Sequence, residues 1–187
     1  MEKKQSPAQY VLRLGLTLFL ITAVVAGLLA LVNGITEDKI AALEAEKTRA
    51  AMTEVLGEGD TIGDPVEDFK DDTGLVRSVT ETSGGWVIEV DPSGFGGEIS
   101  MMVGVSRDLT VTGVSVISHS ETSGLGANAA ARTQVGRDFR GQFVGMSGTL
   151  AVTKDGGQVE ALTGATVTSR AVTQGVNAAL ACAAGLD

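Results

Sequence analysis

The chain has 187 residues, a formal net charge of −9 at pH 7, 25 glycines and an aromatic content of only 4%. That length allows one domain with its own core plus an appendage, and the acidity argues against nucleic acid as a partner. With one cysteine, Cys182, and one histidine, His119, the chain alone offers no intrachain disulfide and no thiolate or imidazole set for zinc, iron–sulfur or haem.

Residues 1–13 carry Lys3, Lys4 and Arg13. The next segment, Leu14 to Val32, reads LGLTLFLITAVVAGLLALV and holds no charge. Wound as a helix it is about 28 Å long, close to the hydrocarbon thickness of a bilayer. Basic residues precede it, and Glu37 and Asp38 follow it. The positive-inside rule then places the N-terminus in the cytoplasm and everything after Val32 outside. The apolar run is long for a signal peptide, and no A-x-A cleavage site follows it. The expectation is a retained single-pass anchor in the cell membrane.

Residues 33–58 predict a separate juxtamembrane helix. Thr36 serves as N-cap with two acids in the first turn. Ile40, Leu43, Ala50, Val55 and Leu56 form a loose apolar stripe, and Gly57 stops the helix. It could pack on the following domain or on another membrane protein.

Residues 59–187 predict the outer domain. The acidic stretch 60–73, with Pro65, reads as a loop. Strand patterns rich in Val, Ile, Thr and Met follow over 75–80, 86–90, 98–106 and 109–118. Arg107 and Asp108 split the last two as a short hairpin. Gly94–Gly97 (GFGG) lets the backbone turn tightly or approach a ligand closely. Val135, Phe139 and Phe143 recur at four-residue spacing and predict a core-facing helix within 127–145. Short strands over 149–153 and 159–162 precede a final helix over 168–184, with Val172, Val176, Ala179, Leu180 and Ala183 on one face. Strands do not alternate with helices, so the fold class is α+β: a mainly antiparallel sheet with flanking helices behind the transmembrane helix.

The junction LTGATVTS, residues 162–169, leaves a predicted strand and enters that last helix. A helix start offers unpaired N–H groups and a partial positive charge, which suit a phosphate. Thr168 or Ser169 can cap the helix. Gly164 and Ala165 leave room for a large group against the backbone. Thr166 is left with a free hydroxyl beside the anion site, which fits a phosphate held on it or bonded to it. A hydroxyl-rich helix cap accounts for the same residues. No P-loop spacing, no G-x-G-x-x-G and no G-x-S-x-G is present.

The segment EALTGATVTS, 160–169, resembles the flavinylation motif of FMN-binding domains, D-x-x-(S/T)-G-A-T. Glu160 stands where that motif has Asp, keeping the carboxylate one methylene further out. A second segment, HSETSGLGAN, 119–128, resembles the H-x-E-T-P-G-L-G element of the RnfG family, the G subunits of the Rnf electron transport complex, with Ser123 in place of the proline. The order of the two motifs, the N-terminal anchor and the GFGGEI strand entry extend the resemblance over nearly the whole chain.

The resemblance implies FMN joined through its phosphate to Thr166 by an exported flavin transferase that uses FAD. Glu160, Thr163, Gly164, Ala165, Thr168 and Ser169 would complete that motif. Glu121, Thr122, Gly124, Leu125 and Gly126 would form a loop beside the flavin, with Leu125 able to pack on its face. Trp86 is expected in the core and His119 at the surface or in packing. The implied function is that of a membrane-anchored electron carrier, a non-autonomous redox subunit of an ion-translocating ferredoxin:NAD+ oxidoreductase whose partners are the other Rnf subunits (A, B, C, D and E). Other readings stay open at this point: an extracytoplasmic flavin reductase, a protein like the C subunit of the sodium-pumping quinone reductase, and a flavin-free anchored binding domain. Flavin content separates the last from the others, and co-purifying membrane subunits separate the first reading from the rest.

Overall fold

The computed structural model describes residues 7–186; Lys3 and Lys4, on which the predicted topology leans, lie outside the described residues. The chain forms two compact units, residues 1–46 and 47–187. Helix α1 (Pro7–Val55) runs without a break from the first into the second. Thr36 is therefore not an N-cap. Its hydroxyl donates back to the Val32 carbonyl at 2.9 Å, as Thr17 does to Arg13. Threonine inside a helix satisfies itself this way, and the single Gly34 costs only about 1 kcal/mol, so nothing local stops the helix between the two predicted segments. The apolar part of α1 is long enough to cross a membrane, and no part of it is covered by protein.

The second unit is built on a five-stranded antiparallel meander in chain order: β1 (Ile62–Val66), β2 (Val76–Thr82), β3 (Gly85–Val90), β4 (Ile99–Ser106) and β5 (Val111–His119). Helices α2 (Gln134–Gly141) and α3 (Thr166–Ala183) follow. The expected α+β class with an antiparallel sheet is what the chain adopts. On one face of the sheet, α3 buries Val172, Val176, Ala179, Leu180 and Ala183 against Val79, Ile88, Val90, Met101 and Val103. The approach is close: a Cβ on Gly175 would lie 2.9 Å from Pro92 and 3.2 Å from the Met101 sulfur. Phe139 and Phe143 close one end of this core edge to face, with ring centroids 5.7 Å apart.

The opposite face receives the last turns of α1. Ala51 and Val55 pack on Val87 and Met102. Val55 sits over a cross-strand glycine pair, Gly104 and Gly113. A Cβ on Gly113 would come within 2.8 Å of the Val55 Cα. The helix end is also bonded there. Thr112 donates its hydroxyl to the Val55 carbonyl at 2.6 Å, satisfying a group that a helix C-terminus leaves open. Ser115 donates to Glu54 at 2.6 Å, and Arg140 lies 3.7 Å from the same carboxylate. Arg140 also donates to the Ala129 carbonyl at 2.6 Å, so it links α1, α2 and the loop before α2. Of the predicted apolar stripe, only Val55 and Leu56 are drawn into the domain; Ile40, Leu43 and Ala50 are exposed.

Three local expectations are corrected. Residues 62–66, read as loop, form an edge strand with a register shift between Ile62 and Pro65. Proline is tolerated at an edge bulge because its missing N–H faces away from the ladder. The short strands expected over 149–153 and 159–162 do not form. A single parallel bridge joins Val152 to Val159, with a 3-10 turn, Thr153–Asp155, between them. Buried Leu150, Val152, Val159 and Leu162 tether this loop to the core, and the two-residue spacing of Leu150 and Val152 imitates strand alternation. Val135 is 55% exposed because it lies in the first turn of α2, where Thr133 caps the helix; Phe139 and Phe143 are buried as expected.

Candidate functional site

Leu162 is buried, and the chain then turns sharply, closed by the Ala165 N–H on the Leu162 carbonyl at 3.0 Å. Gly164 makes the turn with φ +72, a backbone conformation that suits glycine. Helix α3 begins at Thr166, two residues before the expected start, with Ala165 as an N-cap that has no side chain to offer. Thr168 and Ser169 consequently do not cap it. Both lie in the first turn and are buried. The Ser169 hydroxyl accepts from the Leu162 N–H at 3.0 Å and donates to the Ala165 carbonyl at 2.9 Å, bracing the turn from behind. The N–H groups of Thr166, Val167 and Thr168 have no acceptor within the helix and carry its partial positive charge.

Thr168 instead donates its hydroxyl to Glu121, a carboxylate only 8% exposed. The second Glu121 oxygen accepts from the Gly96 N–H at 2.8 Å. One side chain thus joins the GFGG turn, the 121–126 loop and the start of α3. Packing around it is tight. A Cβ on Gly94 or on Gly126 would stand 2.3 Å from one or other Glu121 oxygen. Half-buried His119 accepts the Glu121 N–H on its Nδ1 at 3.1 Å.

These three segments enclose a cavity of about 310 Å³, at the lower edge of the size usual for small-ligand sites. Phe95, Leu125, Ala165 and Val167 supply its apolar wall. Phe95 is 71% exposed and Leu125 and Val167 nearly half exposed, so the rim is oily and open. Among the residues predicted from sequence, Glu121, Thr122, Leu125, Gly126, Gly164, Ala165, Thr166 and Thr168 line the cavity. Ser169 lies behind it, and Gly124 makes a φ +77 turn whose carbonyl accepts from Asn128. Thr163 and Glu160 are exposed and outside the lining; the Glu160 backbone is paired with Gln142 in both directions. Trp86 is buried in the sheet with Arg107 stacked 4.6 Å from its ring centroid, and it is not among the lining residues.

Sequence reasoning passed over three residues. Phe95 carried a signal, an aromatic set among glycines. Val167 fell between the hydroxyls of the motif. Lys154 carried none; it arrives from 12 residues upstream and donates to the Thr166 hydroxyl at 2.9 Å. Among the described residues, no group of three or more His, Cys, Asp or Glu side chains is arranged to hold a metal ion.

Comparison with known proteins agrees with this geometry. A model of the RnfG N-terminal region matches residues 1–55, and a model of the FMN-binding domain matches residues 94–181, which contain the whole cavity lining. The chain is 35% identical over 184 residues to the G subunit of the ion-translocating oxidoreductase complex of Methanosarcina acetivorans, covering 94% of this chain and 95% of that protein. It is 33% identical over 195 residues to the G subunit of the Na(+)-translocating ferredoxin:NAD(+) oxidoreductase complex of Acetobacterium woodii, covering 94% and 93%. To the G subunit of the proton-translocating ferredoxin:NAD(+) oxidoreductase complex of Clostridium ljungdahlii it is 42% identical over 99 residues, about half of each chain. The residues present fit FMN: a helix start with unpaired N–H groups faces its phosphate chemistry, and the adjoining apolar wall suits a flat ring. An uncovered apolar span at one end and an FMN-binding domain at the other make this a membrane-anchored member of the RnfG family, the G subunits of Rnf ion-translocating oxidoreductase complexes.

Proposed function

We propose that the chain is the electron-carrying flavoprotein subunit of an ion-translocating ferredoxin:NAD+ oxidoreductase, with FMN held as a phosphoester on Thr166. One observation carries the reading. The Thr166 hydroxyl, the open N–H groups of α3 and the apolar cavity coincide at a single point.

When bound, FMN supplies reversible electron transfer; the chain supplies position and surroundings. The N–H groups of Thr166, Val167 and Thr168 bind phosphate oxygens. Gly164 makes the turn that presents Thr166, and Leu125 packs against its bare face, 3.0 Å from where a Cβ would stand. Leu125, Val167 and Phe95 bury ring surface and exclude water. Glu121 stiffens the loop and the GFGG turn against α3, so that the cavity keeps its shape.

Residues 14–32 span the cell membrane, with residues 1–13 in the cytoplasm and the domain from residue 59 outside, carried by residues 33–58. The covalent bond suits that compartment, because a released flavin would be lost by dilution, whereas a tethered one stays at high effective concentration. Working partners are the A, B, C, D and E subunits of the complex, and maturation requires a flavin transferase.

The test is peptide mass analysis of the full-length protein co-expressed with an exported flavin transferase. A peptide containing Thr166 that carries FMN is expected, and Thr166→Ala should lose the flavin without loss of thermal stability. An unmodified peptide beside an active transferase sinks the covalent reading and favours a flavin-free anchored domain.

A further inference from the structure

We propose that Lys154 is a positioning residue for modification of Thr166: it orients the acceptor hydroxyl and supplies the counter-charge for the phosphodiester. The proposal rests on the phosphoester reading above.

Lys154 Nζ donates to Thr166 Oγ1 at 2.9 Å. Lys154 belongs to the 3-10 turn between Val152 and Val159, the loop that sequence patterning mistook for two strands. Several devices hold that turn in place. Its flanks are joined by the Val152–Val159 bridge. Gly156 ends it with φ +83, and a Cβ on Gly157 would lie 2.0 Å from the Ala151 carbonyl oxygen. The neighbouring residue adds a directional, solvent-exposed contact. Asp155 takes two bonds from Arg170, Nε to Oδ2 at 2.6 Å and Nη2 to Oδ1 at 2.7 Å. This paired geometry is the most directional form of ion pair. The Arg170 guanidinium holds the Asp155 carboxyl below its ordinary range.

Arg170 lies one helical turn beyond Thr166 on α3, so the fork pins the turn at the site itself. Asp155 and Arg170 offset each other's charge. Lys154 forms no ion pair among the described residues, and its ammonium is directed at the hydroxyl.

The chemistry follows from the donor's direction. An ammonium hydrogen occupies a lone pair of the Thr166 oxygen, leaving the hydroxyl hydrogen turned outward to a base on the transferase. In the transfer, the Thr166 oxygen bonds to the FMN phosphorus of FAD, the bond between the two phosphates breaks, AMP leaves, and the hydroxyl proton passes to that base. No oxidant or reductant is consumed. The product diester carries one negative charge, and Lys154 and the start of α3 face it from two sides.

The experiment follows the rate of FMN incorporation by intact-protein mass, using the full chain in detergent with purified transferase and FAD. Lys154→Gln is expected to slow incorporation at least ten-fold with an unchanged melting temperature. Lys154→Arg should recover most of the rate, and Asp155→Asn, which frees the turn, should fall between. Incorporation into Lys154→Gln at the parental rate overturns the role of Lys154 while leaving the phosphoester reading intact. So does Lys154→Arg behaving no better than Lys154→Gln. Failure of the parental protein to take up FMN overturns both.

Discussion

Thr168 and Glu121 stand 47 residues apart in the chain and meet as a hydrogen-bonded pair inside the domain. The same carboxylate holds Gly96, 25 residues away, through its other oxygen. A buried carboxylate is costly unless its oxygens are satisfied, so this pair does two things. It stabilises the fold locally, and it fixes the distance between the 121–126 loop and the helix start. Thr168→Val preserves shape and removes the donor. It should cost about 1–3 kcal/mol, the usual penalty for a buried polar group left unpaired. Urea denaturation of the FMN-binding domain checks this, and Thr168→Ser should lie close to the parent. Equal midpoints for Val and Ser would mean that the bond carries no stability.

The seat of Val55 on Gly113 gives a second test. An added Cβ at position 113 meets the Val55 backbone at 2.8 Å, and backbone yields less readily than a side chain tip. Gly113→Ala should destabilise by about 1–3 kcal/mol, the range for overpacking. It should also loosen the end of α1 from the sheet. Trypsin cleavage after Lys47 and Arg49 then becomes faster in the variant at temperatures well below unfolding. Unchanged cleavage would show that the helix end is held by its hydrogen bonds to Thr112 and Ser115 without help from the glycine notch.

Acid should weaken the domain partly through Asp71. Loss of hydration alone would raise its pKa, but bonds from the Thr73 hydroxyl and from the Val76, Thr73 and Gly74 N–H groups outweigh it and hold the carboxyl below its ordinary 3.8. The Val76 bond, at 2.8 Å, fastens the start of β2. A carboxyl depressed in the folded state adds stability above its unfolded pKa, about 3.9, and that stability is lost as pH falls through the folded value. Asp71→Asn should therefore be less stable than the parent at pH 7, with the gap shrinking as pH falls below the unfolded value, about 3.9, and on through the lower folded one. Denaturant melts at pH 7 and in acid measure it. A gap of the same size at both would assign the loss to altered hydrogen bonding instead of ionisation.

Much of this protein was legible in its sequence because the relevant physics is local. An uncharged run from Leu14 to Val32 has the length of a span whatever surrounds it. Runs rich in Val, Ile, Thr and Met announced the four strands β2 to β5, and the small residues of TGAT announced a helix start able to accept a phosphate. Local signals also misled where a neighbour decided the outcome. Pro65 reads as a turn until β2 offers its edge. Thr36 reads as a cap until its hydroxyl finds the Val32 carbonyl. Leu150, Val152, Val159 and Leu162 read as strands until the core takes them singly.

Only the tertiary structure decided which distant residues share the site. Chain proximity says nothing of contacts across 47, 25 or 12 residues, those of Thr168 with Glu121, Glu121 with Gly96 and Lys154 with Thr166. These exist because α3 packs close on the sheet at Gly175, and because the Asp155–Arg170 pair joins the 153–155 turn to the start of α3. The sequence by itself determined the apolar span, the sheet and the hydroxyl-rich start of α3. Packing determined the cavity wall, the buried carboxylate that shapes it and the cation that faces the hydroxyl, since side chains so far apart in sequence are brought together only by the burial of the whole core.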